Sequence, residues 1–136
     1  MNTNKETPRI LEDVKTNVKI KLSGLWVAAM FSWVYGDLLR IYSGDFIAGE
    51  FIEGVQMTQE LWVVAAITMM IPVAMVFLSL TLKDKANRWA NIIIGIFFTG
   101  YGLIGLPAYT SAYDQFLIIV GLVFTALIVW YAYKWK

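Results

Sequence analysis

Four long apolar runs, separated by shorter polar segments, organise this chain: residues 22–42, 61–82, 89–106 and 116–135. Each is close to the ~20 residues needed to cross roughly 30 Å of hydrocarbon at 1.5 Å per residue. The third is the shortest and the richest in glycine. The runs are continuously apolar rather than alternating, which favours helices over the strands of a barrel, because a helix satisfies its backbone groups within the segment. The pattern therefore predicts an all-α, four-transmembrane-helix bundle over residues 22–136, preceded by an arm over 1–21.

The arm carries its own weaker pattern. Thr7 is placed to cap a helix and Pro8 to open its first turn, after which Ile10, Leu11, Val14 and Val18 recur at helical spacing. This predicts a short amphipathic helix lying on the membrane surface, its lysines near anionic lipid. The first eighteen residues lack the apolar core of a cleavable leader, so the first run is expected to remain as a span.

Charge then fixes an orientation. Lys5, Arg9, Lys15, Lys19, Lys21, Lys83, Lys85, Arg88, Lys134 and Lys136 are ten of the 11 basic residues, and a four-span chain puts them all on one side. The other two loops hold Asp45, Glu50, Glu53 and Asp114, with Glu60 at a helix start, and no Lys or Arg. The positive-inside rule places both termini and the 83–88 loop in the cytoplasm of a protein of the cell (inner) membrane, in one fixed orientation. Trp26, Trp62, Trp89, Trp130 and Trp135 lie near span ends, where an interfacial belt would place them.

Composition narrows the chemistry. Hydrophobic residues make up 59% and charged residues 15%, too apolar for a water-soluble fold of this size. There are no cysteines and no histidines. Disulfides, thiol chemistry and a histidine-dependent triad are thereby excluded, along with the commonest ligands of zinc, copper and haem. No phosphate loop or dinucleotide fingerprint is present. No catalytic residue, metal or cofactor is expected, and the chain reads as a non-enzyme. A net charge of +1 gives no case for nucleic acid.

Asp37 and Arg40 are the most informative residues. Ionisable groups at membrane depth are costly, and these two stand three apart on one face of the first span, where they can pair. Arg40 can snorkel to the headgroups, whereas Asp37 must turn inward to a partner or water, so losing Asp37 is expected to cost more than losing Arg40. By this reading Asp37 is the only acidic residue within the four spans. Gly24, Ala28, Ser32 and Gly36 lead up to the pair at four-residue spacing, a row that admits a close second helix. Pro72 is expected to kink the second span by freeing the carbonyl one turn back. In the third span Asn87 is the expected N-cap, and Asn91 and Gly95 share a face. Asn91 places an amide in the bundle as an interhelical hydrogen-bonding group or a solute contact. Gly121 gives the fourth span a similar packing face. The loop 43–59 is acidic, with Gly44, Gly49 and Gly54 spaced five apart among apolar residues.

Leu25-Trp26 through Tyr35-Gly36-Asp37, Pro72-Val73-Ala74-Met75, Leu78-Ser79 and Arg88-Trp89-Ala90-Asn91-Ile92 carry a resemblance. At these positions the chain resembles a family of small uncharacterised prokaryotic integral membrane proteins with four predicted spans. The architecture is also similar to the DoxX-like four-helix membrane proteins, without a shared motif. The resemblance implies fold and topology and brings no activity.

Two functions are open at this point. One is a self-associating bundle whose polar site at Asp37, Arg40 and Asn91 binds or conducts an ion or small solute. The other is a non-transporting scaffold or accessory subunit whose polar residues only fix helix packing. The expected partners are the lipid bilayer, a second copy of the chain, and an ion or small solute.

Overall fold

The computed structural model describes residues 14–50 and 54–136. It is an antiparallel bundle of four helices, α1 (Val18–Ser43), α2 (Gln59–Thr81), α3 (Asp84–Gly105) and α4 (Ala112–Lys134), with a 3-10 turn at Leu106–Ala108. All four helices are long and apolar enough to cross a membrane. Most of the arm lies outside the described residues. Its described part, Val14–Asn17, is not helical, and Asn17 caps α1 by accepting a hydrogen bond from the Lys19 amide at 2.9 Å.

α3 and α4 begin earlier than their apolar runs, at Asp84 and Ala112, because a helix start is set by capping and turn chemistry as well as apolarity. Asn87 consequently sits inside α3 and is not its cap, which is Lys83. α2 runs through Pro72, which is buried against the bundle.

α1 packs on α2 and α4, and α4 packs on α3, so the order around the bundle is α2, α1, α4, α3. The ring closes poorly. Of the helices that neighbour one another around this ring, α2 and α3 pack most sparsely, although only Leu82 and Lys83 separate them. Large apolar side chains cover the exterior, among them Phe31, Ile67, Phe77, Ile93 and Ile104. A surface of that kind suits hydrocarbon rather than water.

One end of the bundle is basic and the other acidic. At the basic end Lys19 Nζ lies 2.8 Å from Asp84 and donates to the Leu82 carbonyl at 2.9 Å, joining α1 to the α2–α3 link. Arg88 donates to the Tyr133 carbonyl, and Lys134 lies 4.0 Å from the Trp130 ring centroid. At the acidic end Gly44, at φ 83°, closes α1 in the left-handed conformation that glycine adopts without strain. The loop then folds on Glu50, whose carboxylate accepts from the Gly54 amide and the Gln56 side chain.

The core lies in the basic half. Leu22, Trp26, Met75, Phe98, Ile128 and Ala132 are almost completely buried. Trp26 is therefore a core residue and not part of an interfacial belt. A helix apolar on every face gives no polarity contrast to tell its inner stripe from its outer one.

Candidate functional site

Two polar clusters, one in each half, are built differently. In the basic half Asn91 is fully buried and every polar atom of its amide is used. Its Oδ1 accepts from Trp26 Nε1 at 2.8 Å and from Ser79 Oγ at 3.2 Å. Its Nδ2 donates to the Asn87 carbonyl at 2.9 Å and to Asn87 Oδ1 at 2.7 Å. Asn87 Nδ2 in turn donates to the Ser79 carbonyl at 2.6 Å. One amide thus binds α1, α2 and α3 together, and buried groups satisfied in this way are stable in a dry interior.

In the acidic half the helices separate around space. A cavity of about 300 Å³ runs from Ala108 and Tyr109 inward to Ser32, Phe98 and Thr125. Its floor is aromatic: Trp33 stacks on Phe98 at 5.3 Å, and Phe98 meets Trp26 edge-on at 6.0 Å. Glycines let the walls approach. A Cβ on Gly102 would lie 2.9 Å from Leu122, one on Gly95 2.8 Å from Val129, and one on Gly121 would collide with the Trp33 indole. Above the cavity a second space of about 260 Å³ opens among Arg40, Asp45, Glu50, Tyr109 and Ser111. Asp114 lines both spaces.

Arg40 and Asp114 stand where the two spaces meet. Arg40 Nε lies 3.5 Å from Asp114 Oδ2, an ion pair longer than a hydrogen bond, and this buried N–H has no acceptor. The guanidinium also lies 4.8 Å from the Tyr109 ring centroid, a cation–π contact. The carboxylate partner of Arg40 is therefore Asp114 and not Asp37, and Asp37 is not the only acidic residue in the helices. Asp114 occupies the first turn of α4 and is 5% exposed. Gly36 faces it from α1: a Cβ there would sit 3.9 Å from Asp114 Oδ1, an ordinary contact.

Asp37 lines the cavity and makes no ion pair or hydrogen bond through its side chain among the described residues. Tyr101 and Ile104 lie with it along the cavity, all three exposed at the poorly closed α2–α3 side. Asn91 does not join this site. It bonds to Trp26, and Arg40 lies fourteen residues further along α1, about 21 Å at 1.5 Å per residue. The small-residue row divides likewise. Ser32 and Gly36 are buried at the cavity, Ala28 is half-buried, and Gly24 faces open space.

Sequence reasoning missed Asp114, although a signal was there. Ser111-Ala112-Tyr113-Asp114 has the S-x-x-D spacing of a helix start. The structure uses those side chains elsewhere: Ser111 donates to Asp45 at 3.0 Å and Asp114 faces Arg40. Tyr113 also donates to Asp45. These hydrogen bonds hold the Asp45 carboxyl below its ordinary value, with the bond from Tyr113 the largest cause. They tie the loop after α1 to the start of α4, over the mouth of the outer space.

A family model matches residues 9–136, nearly the whole chain, and the chain belongs to that family, a family of unknown function (DUF6326). The match agrees with the resemblance to uncharacterised four-helix proteins and brings no link to the DoxX-like ones. No curated protein and no solved structure matches.

Proposed function

We propose that this is a four-span membrane protein, with its basic end in the cytoplasm, that binds a small solute in the cavity of its outer half. The observation that carries this reading is the contrast in space. A cavity of about 300 Å³ reaches mid-bundle from the acidic end and stops on Trp33 and Phe98, with a filled core beyond. A blind pocket suits capture better than conduction by a single bundle. Its size is at the lower limit of ordinary ligand pockets, and its walls combine apolar side chains with a few convergent polar groups, as such pockets do. The bias of Lys and Arg across the loops and tails, ten to none, supports the orientation.

Filling the cavity tests the reading. Ser32→Phe puts a ring into the inner end of the pocket. Small solutes that raise the melting temperature of the purified protein are expected to lose that effect in Ser32→Phe. A broad panel that shifts neither protein overturns the binding reading. The scaffold reading rests on a different observation, the saturated Asn91 network, which is built for packing alone; it predicts no solute effect in either protein.

A further inference from the structure

We infer that the solute is a lipophilic organic cation, entering from the side between α2 and α3 and held by Asp37. This rests on the binding-cavity reading above. The charge around the site is acidic on balance. The outer space presents Asp45, Glu50 and Asp114 against Arg40 alone, and the inner cavity adds Asp37. Arg40 is already engaged by Asp114 and by the Tyr109 ring, so the carboxylate left without a partner is that of Asp37. An unpartnered carboxylate at membrane depth is costly, and a bound cation would relieve that cost.

The walls agree with the charge. Trp33, Phe98, Tyr101 and Tyr109 line the cavity, and aromatic faces attract cations, most strongly where water is excluded. Apolar groups such as Leu117 and Leu122 complete the lining and suit the body of an amphipathic molecule. The entry follows from the fold. α2 contributes Met69 alone to the cavity lining, and Asp37, Tyr101 and Ile104 are exposed on that side. A molecule already dissolved in the bilayer reaches Asp37 there without crossing the acidic loops.

The test uses the full chain in lipid nanodiscs and radiolabelled benzyltrimethylammonium as probe. Neopentylbenzene, its neutral isostere, and benzylsulfonate, an anion of similar shape, serve as competitors. Saturable binding of the cation is expected, with at least tenfold weaker competition by the other two. Asp37→Asn is expected to lower affinity for the cation at least tenfold, and Asp37→Glu to retain it. Circular dichroism and a monodisperse elution profile establish that each variant is folded, and a misfolded Asp37→Asn leaves the competitor ranking to decide. The cation assignment is overturned if the anion or the neutral isostere competes as well as the cation. It is also overturned if folded Asp37→Asn binds the cation unchanged. Those outcomes leave the cavity reading standing as long as Ser32→Phe abolishes the binding. If none of the three compounds binds, the cation assignment falls, while the wider solute panel decides the cavity reading.

Discussion

The polar cluster around Asn91 and the one around Asp114 solve the same problem in opposite ways. Both bury polar groups among apolar helices. Around Asn91 every amide atom has a partner and the neighbouring side chains fill the space. Around Asp114 the partner stands 3.5 Å away, a guanidinium N–H has no acceptor, and a cavity separates the helices. Satisfied groups hold a structure together, whereas partly satisfied ones leave bonding capacity for something else. The packing role proposed for the first cluster and the binding role proposed for the second rest on this difference.

Mutation can break this comparison, and the largest effect is expected at Asn91. Asn91→Ala leaves the Trp26 indole N–H, the Ser79 hydroxyl and the Asn87 amide oxygen short of partners. At about 1–3 kcal/mol for a buried group left unpaired, a loss on the order of 3 kcal/mol is expected in reversible unfolding from detergent. A loss under about 1 kcal/mol would show that the network is dispensable.

Arg40→Ala comes next, at about 2 kcal/mol, below the range of about 3–5 for a fully buried pair because Arg40 keeps some exposure. It strands the Asp114 carboxylate, which can only escape by taking up a proton. Asp37→Ala removes a group with no partner and is expected to cost less than Arg40→Ala. This reverses the ranking that the sequence implies, and thermal melts of the two variants decide between them.

Glycine substitutions sharpen the comparison at smaller scale. Gly121→Ala drives a methyl into the Trp33 indole and is expected to cost about 1–3 kcal/mol, the usual range for overpacking. Gly24→Ala meets nothing and is expected to be neutral or to gain up to about 1 kcal/mol from helix propensity. Equal effects at the two positions would show that the wall contact is not tight.

The smallest effect is a local response to acid. Hydrogen bonds hold the Asp45 carboxyl below its ordinary value of 3.8. Their contribution is therefore fully present above that value and is lost as pH falls through the lowered one. Amide exchange in residues 44–50 is expected to accelerate at that acidic pH, while exchange around Asn91 does not change. Asp45→Asn should remove the dependence, and a response of the same size at both ends would contradict it.

Much of the fold was legible because span length and basic residues are one-dimensional signals. The four helices and the grouping of the described basic side chains other than Arg40 at one end needed nothing more than runs of residues and their charges. The site was only half legible. Asp37 and Arg40 stand out because charge is rare inside an apolar run. Asp114 lies just before such a run, and its partner Arg40 is offered by α1 from across the bundle. Trp26 and Asn87 were misplaced for a related reason: which face of a helix turns inward is decided by neighbours distant in the chain.

The order of the helices around the bundle also bears on how it is made. α1 has its broadest packing with α4, the last of the four helices in chain order. When the first three spans have left the ribosome, the face of α1 that carries Gly36 and Arg40 still awaits its counterpart. α3, which packs mainly on α4, is in the same position. Assembly of the bundle thus waits for α4, because contacts between distant segments form only after the chain between them exists. A product cut short between Gly105 and Ala112 leaves Arg40 without Asp114 and the α4-facing side of α1 uncovered.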